Sequence, residues 1–304
     1  MIDYCISCLD RMKEELSYRN VFRIFCGHGD RTSVEYKLDG EIKKLSFADM
    51  EFVSEYAADR IKELMGDTEK GFVCFKLANC PEWFAICWGI LMAGYKPFLI
   101  DARHDKALTD YFIEQAGAVG IISNENVEYE NIIRINANDI VRLDKRHILE
   151  ISANADRSSK TVEERITSYS WGDEVALCTS GTTSTAKIYV YNGYAIANQI
   201  ECAREIVETN EIVCSDKEKK NLAFLPLNHI FGFMVNYIWY GFFAASMVVP
   251  DKIAPSVLLA ACKEHKVTHI MAVPLLINNI AAGLTRKISK EPKFKQVMFK
   301  AMCG

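Results

Sequence analysis

A row of hydroxyl side chains in the middle of the chain is followed closely by a lysine. Residues 179–187 read TSGTTSTAK, in which the first seven positions hold six hydroxyls and one glycine. Such a segment offers hydroxyls and consecutive backbone N–H groups to an anion, and a lysine adds a mobile positive charge suited to phosphate. We call this segment the hydroxyl loop; it has the residue types of a phosphate-binding loop.

A Walker-type loop is one alternative, and it fits poorly. That motif requires G-x-x-x-x-G-K-[ST] and leads directly into a helix. Here Ala186 takes the place of the second glycine, Ile188 takes the place of the final hydroxyl, and the next residues resemble a strand. A P-loop kinase or ATPase is therefore disfavoured. On these residues alone, a Ser/Thr-rich hairpin loop with a solvated lysine remains open.

Strands and helices alternate around the loop. Ser46 with Asp49 resembles a capping box before a helical apolar pattern that stops at Gly66. Pro81 marks a helix start, and Gly94 and Gly117 follow helix ends. Short apolar runs predict strands at 71–77, 96–100, 118–123, 174–179, 188–191, 222–225, 246–249, 268–272 and from about 297. Helical patterns lie at 46–65, 81–93, 105–116, 194–208, 255–265 and 274–282.

This order predicts an α/β fold with mostly parallel sheets and flanking helices, arranged in layered subdomains. We expect a first α/β subdomain over 1–172, with an irregular or β-rich insertion near 124–172, where no clean period is visible. Residues 173–304 would hold the hydroxyl loop and a second α/β subdomain that is incomplete at its C-terminal end. The lysines and arginine of 286–295 are interpreted as a solvated loop.

A second motif follows the loop. Residues 224–233 read FLPLNHIFGF, which we call the histidine segment. Together the two segments resemble the signatures of the adenylate-forming superfamily, which includes acyl-CoA synthetases, luciferases and peptide-synthetase adenylation domains. Ser184 and Ala186 stand where that family has a glycine and a proline. A weaker resemblance extends from about residue 36 to 304, through the segments LSFADMEFVSEYAADRIKELMG, FKLANCPEWFAICWGILMAGYKPFLID and VTHIMAVPLLINNIAAG.

The resemblance implies the fold of the large N-terminal domain of acyl-CoA synthetases, and a reaction. A carboxylic acid is activated by ATP as an acyl-adenylate, and a thioester with coenzyme A follows; magnesium accompanies ATP. His229 favours the acid–CoA ligase branch, while an adenylation domain acting with a carrier protein remains an alternative. No residue is identified as catalytic or as a metal ligand, and the acid is not specified. The implied ATP-binding residues are Thr179, Ser180, Gly181, Thr182, Thr183 and Lys187, and the substrate channel is implied for His229, Phe231 and Gly232.

Later motifs of the family have no counterpart here. The missing ones are the G-G-A adenine segment, the aromatic-Gly-x-Thr-Glu motif, the ribose-binding aspartate, the hinge and the small domain with its lysine. Residues 297–304, VMFKAMCG, resemble the strand that leads into the adenine segment. We therefore expect the front part of the large domain, as a fragment or a truncated gene product. Alone it would be catalytically incomplete, a non-catalytic domain in the extreme case, with an exposed edge prone to self-association.

The composition of the chain bears on its partners and on its cellular compartment. The chain has 304 residues, 50% hydrophobic and 25% charged, with a net charge of −4. This balance gives no reason to expect nucleic acid as a partner. Eleven scattered cysteines and no signal peptide predict a reduced, cytoplasmic chain. Cys5 and Cys8 are interpreted as packed helix residues rather than as a zinc or redox site. The charge-free stretch 230–249 is interpreted as a buried helix and a buried strand rather than a membrane span.

Overall fold

A computed structural model describes residues 2–144, 160–179, 186–210, 218–274 and, further on, 278, 282–283, 285–286 and 288–294. These residues form two β-sheets with helices packed against them. In chain order the strands are β1 (Thr32–Leu38), β2 (Glu41–Ser46), β3 (Phe72–Lys76), β4 (Lys96–Leu99), β5 (Gly120–Ser123), β6 (Ile133–Asn136), β7 (Glu174–Cys178), β8 (Ile188–Asn192), β9 (Lys220–Leu222) and β10 (Ser246–Val248).

The helices surround and separate the sheets, and α4 contacts a strand of each of them. Several begin where the sequence predicts: α3 has the capping box formed by Ser46 and Asp49, and α5 has Asp105 as its N-cap. The helices are α1 (Ile2–Met12), α2 (Tyr18–Cys26), α3 (Phe47–Met65), α4 (Pro81–Met92), α5 (Lys106–Ala116), α6 (Ala137–Ile140), α7 (Val162–Thr167), α8 (Gly193–Glu201), α9 (Arg204–Thr209), α10 (Ile230–Gly232, π-helical Phe233–Trp239, Tyr240–Phe242) and α11 (Pro255–Glu264).

The larger sheet has six strands in the order β6-β5-β3-β4-β7-β8. Its neighbours are parallel except for the antiparallel pair β7–β8. Helices α4 and α5 provide the crossovers that parallel neighbours require. Val73, Cys74 and Phe75 are all buried, as expected for a strand covered on both faces. The predicted mostly parallel α/β fold is therefore confirmed.

The smaller sheet has four strands in the order β2-β1-β10-β9. Strands β1 and β2 form a hairpin whose turn residues Asp39 and Gly40 both have positive φ, 52° and 80°. An Asp-Gly turn with this geometry suits a two-residue hairpin. Strand β1 also pairs in parallel with β10, so the sheet joins residues that are distant in sequence.

Each sheet takes strands from both sides of residue 172. Strands β7 and β8 complete the larger sheet, and the early hairpin completes the smaller one. Sheet membership alone does not define folding units, so the boundary expected at 172 stays a prediction. Within the expected insertion the described residues form β6, α6 and α7, while its middle lies outside them.

The stretch 230–249 is a buried helix, α10, followed by strand β10, as predicted. No helix among the described residues is long and apolar enough to cross a membrane. Tyr237 of α10 lies 5.0 Å from Trp83 and 5.1 Å from Trp88, measured between ring centroids. Its hydroxyl donates to the carbonyl oxygen of Phe84 at 3.2 Å. This aromatic cluster fixes α10 against α4.

Two strand predictions need correction. The strand predicted at 222–225 ends at Leu222, because the chain turns there and the N–H of Phe224 donates to the carbonyl of Leu222 at 3.1 Å. The strand predicted at 268–272 contributes one parallel bridge, between Asn221 and His269. The helix predicted at 274–282 lies only partly within the described residues, and the strand from 297 lies outside them. Cys5 and Cys8 are buried on α1, so the packed-cysteine interpretation is confirmed.

Glu35 of β1 is a buried carboxylate in the smaller sheet. It accepts hydrogen bonds from Lys220 Nζ at 2.5 Å and from His265 Nδ1 at 3.0 Å. Burial would raise the pKa of Glu35, but these hydrogen bonds outweigh it and hold the pKa at about 2. A charged group therefore joins β1, β9 and the end of α11 within the core.

Candidate functional site

The hydroxyl loop leaves the sheet at the carboxyl end of β7 and returns as β8. The antiparallel register pairs Cys178 with Ile188. Pairing continues one step further, because the N–H of Thr179 donates to the carbonyl of Lys187 at 3.0 Å. The N–H of Lys187 points back to the hydroxyl oxygen of Thr179 at 3.4 Å. The mouth of the loop is thus fixed by the sheet, and a strand follows Lys187, as predicted.

Both predicted residues at this mouth, Thr179 and Lys187, are exposed. The predicted residues Ser180, Gly181, Thr182 and Thr183 lie outside the described part of the chain. The structure therefore defines where the loop is held. The phosphate-binding role of the loop remains a prediction.

Polar side chains collect at the same edge of the sheet. Because β3, β4, β5 and β7 are parallel, their carboxyl ends lie together, the usual ligand-binding edge of an open α/β sheet. Lys76, at the end of β3, is buried and lies 2.7 Å from the carboxylate of Glu125. Its ammonium also donates to the carbonyl of His104 at 2.6 Å. This buried lysine has two partners within the protein, which suits a supporting role at the edge.

Asp101 and His104 follow β4 at this edge. Hydrogen bonds from Arg103 lower the pKa of Asp101 to about 2, so its carboxylate stays charged. Burial lowers the pKa of His104, and the charge of Asp101 offsets this only in part. A carboxylate and an imidazole therefore stand at this edge.

The histidine segment is held in place by the side chain of Asn79, which follows strand β3 of the larger sheet. Asn79, three residues after β3, donates through Nδ2 to the carbonyls of Ala223 at 3.3 Å and Leu225 at 2.7 Å. The N–H of Leu227 donates to Asn79 Oδ1 at 3.1 Å. One amide therefore binds three backbone groups of the chain that leads to His229.

Gly232 is required by a close approach within the segment. A Cβ atom at this position would lie 2.0 Å from the carbonyl oxygen of Pro226. His229 precedes α10, and its N–H donates to the same carbonyl at 3.2 Å. Phe231, on the first turn, is 42% exposed. A compact turn thus presents His229 and Phe231 at the start of α10.

No group of three or more His, Cys, Asp and Glu residues in the described part of the chain could hold a metal ion. We therefore assign no ligand to magnesium and derive no step through it.

The fold is that of an α/β protein whose candidate site lies at the carboxyl ends of parallel strands. Over residues 23–303 the chain matches the family of AMP-binding enzymes, and it belongs to that family. Its fold is the mixed α/β fold of the large N-terminal domain of adenylate-forming enzymes. No curated protein matches the chain.

Solved structures show the same fold at low sequence identity. The nonribosomal peptide synthetase FmoA3 has a TM-score of 0.67 and 17% identity, covering 91% of this chain and 27% of its own. The o-succinylbenzoate CoA synthetase MenE from Bacillus subtilis, in complex with the acyl-adenylate OSB-AMP, has a TM-score of 0.66 and 16% identity, covering 91% and 66%. The Klebsiella oxytoca NpsA N-terminal subdomain, in complex with 3-hydroxybenzoyl-AMSN, has a TM-score of 0.62 and 12% identity, covering 84% and 59%. The chain thus spans less than two thirds of each neighbour's length.

Sequence reasoning did not identify Asn79, Lys76 or His104. Asn79 stands in the segment LANCPEW, directly before a proline-started helix, which signals a turn and no more. Its partners lie about 150 residues further along, at a sequence separation of 144 to 148. Lys76 closes an apolar strand, and a polar residue at the carboxyl end of a predicted parallel strand was the available signal.

Proposed function

We propose that the protein carrying this chain activates a carboxylic acid with ATP to form an acyl-adenylate. The observation that carries the proposal is the placement of two motifs in a chain of the AMP-binding family. The hydroxyl loop follows the carboxyl end of β7, and Asn79, three residues after the carboxyl end of β3, binds the backbone that leads to His229. This edge is where open α/β sheets bind ligands.

In the proposed reaction, a carboxylate oxygen of the acid attacks the α-phosphorus of ATP. A new P–O bond forms, the bond between the α-phosphorus and the bridging oxygen breaks, and pyrophosphate leaves with the electron pair. Positioning and electrostatic stabilisation dominate such transfers. Thr179–Thr183 and Lys187 would hold the β- and γ-phosphates, where negative charge gathers on the leaving group.

His229 and Phe231 would shape the path by which the acid reaches the α-phosphorus. The support is their position at the start of α10, in a turn that Gly232 makes compact. Phe231 exposes an aromatic surface that an acyl group could contact, and His229 lies two residues before it in the same turn. The acid is therefore proposed as a small-molecule carboxylic acid.

The thiol that accepts the acyl group would be coenzyme A. In that step the thiol sulfur attacks the acyl carbonyl, and AMP leaves as the C–O bond to its phosphate breaks. His229, in place of an F-D-x-S pattern, supports this choice. FmoA3, a nonribosomal peptide synthetase, supports a carrier protein equally. Supplying acid and ATP with either coenzyme A or a phosphopantetheinylated carrier protein would separate the two, because only the true acceptor gains a thioester.

The proposal predicts ATP–pyrophosphate exchange that depends on a carboxylic acid and is lost when the loop lysine is removed. Loss of one preorganised charge partner typically costs about 10²- to 10³-fold. We expect the Lys187→Ala variant to lose exchange by that factor. Lys263→Ala, at an exposed position on α11, is the matched control and should keep full exchange.

Two results would contradict this scheme. Equal exchange in the Lys187 variant and the wild-type protein would remove the phosphate-binding role of the loop. Absence of exchange, with calorimetry showing no ATP binding, would instead favour a non-catalytic domain. Micromolar ATP binding, which corresponds to about −8 kcal/mol, would argue against that alternative.

A further inference from the structure

We propose that Asn79 is a positioning residue that sets the location of His229. This inference rests on the proposed function, because it assigns His229 to the acid channel. Asn79 follows β3 of the larger sheet, and His229 is on the chain that leaves the smaller sheet. The side chain of Asn79 joins the two.

The chain between β9 and α10 leaves the ladder of hydrogen bonds of the smaller sheet. The N–H of Ala223 still donates to the carbonyl of Val248 in β10 at 2.8 Å, and the peptide groups after it need other partners. Asn79 satisfies two carbonyls through its NH₂ group and one N–H through its oxygen. The bond to the Leu225 carbonyl, at 2.7 Å, is the shortest of the three.

Asn79 is itself well placed to act as an anchor. It lies between β3, which is buried in the larger sheet, and α4, which begins at Pro81. Both elements restrict the backbone on either side of the amide. The three hydrogen bonds therefore tie the histidine segment to the most buried part of the fold.

The link from the anchored residues to His229 is short and stiff. Leu227 is two residues before His229, and the N–H of His229 donates to Pro226 at 3.2 Å. Because Gly232 has no side chain, the start of α10 lies directly against the carbonyl of Pro226. A shift of the anchored backbone would therefore move the imidazole with it.

The first test is a double-mutant cycle measured by acid-dependent ATP–pyrophosphate exchange. Asn79→Ala removes all three hydrogen bonds and should raise the KM for the acid at least about tenfold, with the KM for ATP changed less than about twofold. Asn79→Asp keeps the acceptor for Leu227 and loses both donors, so it should lie between Asn79→Ala and wild type. Asn198→Ala, at an exposed asparagine on α8, is the control that should leave both values unchanged.

The cycle separates positioning from a general structural role. If Asn79 acts through His229, the double variant Asn79→Ala/His229→Ala should lose no more activity than His229→Ala alone. If the two losses multiply instead, Asn79 does not act through His229 and the inference is overturned. An equal rise in both KM values would overturn it as well.

A second measurement tests, without an activity assay, whether Asn79 anchors the backbone of the histidine segment. Hydrogen–deuterium exchange of the Asn79→Ala variant should show lost protection over 222–232, with α5 protected as in wild type. Unchanged protection over 222–232 overturns the inference, whatever the enzyme assay shows. A full-length wild-type protein without acid-dependent exchange would refute the proposed function instead, while loss of protection in the variant would still establish the anchor.

Discussion

His28 is a buried histidine whose two ring nitrogens both have hydrogen-bond partners. Its Nε2 lies 3.1 Å from the carbonyl of Phe242, and its Nδ1 lies 2.5 Å from the hydroxyl of Tyr4. The carbonyl can only accept, so Nε2 carries the proton and Nδ1 accepts from the Tyr4 hydroxyl. Burial lowers the pKa of His28 to about 4. The neutral ring is therefore part of the packed structure.

This site predicts a loss of stability in mild acid. The pKa of His28 is lower in the folded state than its ordinary value of 6.5, so the unfolded state takes up a proton first. The contribution of His28 to the free energy of unfolding is fully present above pH 6.5. It falls by about 3 kcal/mol as the pH falls towards 4. Urea unfolding across this range should show the slope, and His28→Gln should flatten it. An unchanged slope in that variant would show that His28 is not the group responsible.

Among the candidate site residues, the sequence points to those whose signal is local. Thr179 and Lys187 stand out because one short segment contains both the hydroxyls and the charge. Asn79 could not be found in this way, since its role depends on backbone groups at a sequence separation of 144 to 148 residues. Only the folded chain brings that amide and those carbonyls together.

Helices α3 and α4 pack closely against each other, and Gly89 makes this close packing possible. A Cβ atom at Gly89 would lie 2.8 Å from the Cβ of Ala57 and 3.0 Å from the backbone nitrogen of Ala58. Such distances leave no room for a methyl group unless one helix moves. The close contact supports α4 in its place beside both sheets.

Gly89→Ala therefore tests the packing by the sign of its effect. In an open helix, alanine in place of glycine gains about 0.5–1 kcal/mol. Here we expect a loss of about 1–3 kcal/mol from overpacking. Chemical denaturation of Gly89→Ala and of the control Gly283→Ala, a helical glycine with open space, provides the comparison. A more stable Gly89 variant would mean that the helices adjust freely.

Local signals also explain which elements were predictable. Helices α3, α4 and α5 carry caps, an N-terminal proline or a terminal glycine in their own sequence, and their predicted bounds agree with the structure to within about two residues. Strand β9 lies two residues before its predicted position, because the chain turns at Leu222 and the carbonyls beyond it accept hydrogen bonds from Asn79 instead of a neighbouring strand. Partners from another part of the chain decide such boundaries.

In the part of the chain that the structure describes, the largest core cluster includes residues facing both sheets. Strand β8 is the edge of the larger sheet, with Tyr189 and Val190 47% and 48% exposed. Self-association remains a prediction, since exposed strand edges pair readily with other chains. Light scattering over a range of concentrations should show a mass that rises, and Tyr189→Lys should reduce the rise. A constant monomer mass at high concentration would contradict this.

The parallel pairing of β1 with β10 has a consequence for the order of events during synthesis. The hydroxyl of Ser246 donates to the carbonyl of Thr32 across a sequence separation of 214 residues. At about 5–20 residues per second, the β1–β2 hairpin waits at least about ten seconds on the ribosome before its neighbour strand exists. Over that time the β1 edge of the nascent hairpin has no neighbouring strand, which makes the hairpin a natural substrate for chaperones. Closing so long a loop should also make this sheet the slow step of refolding.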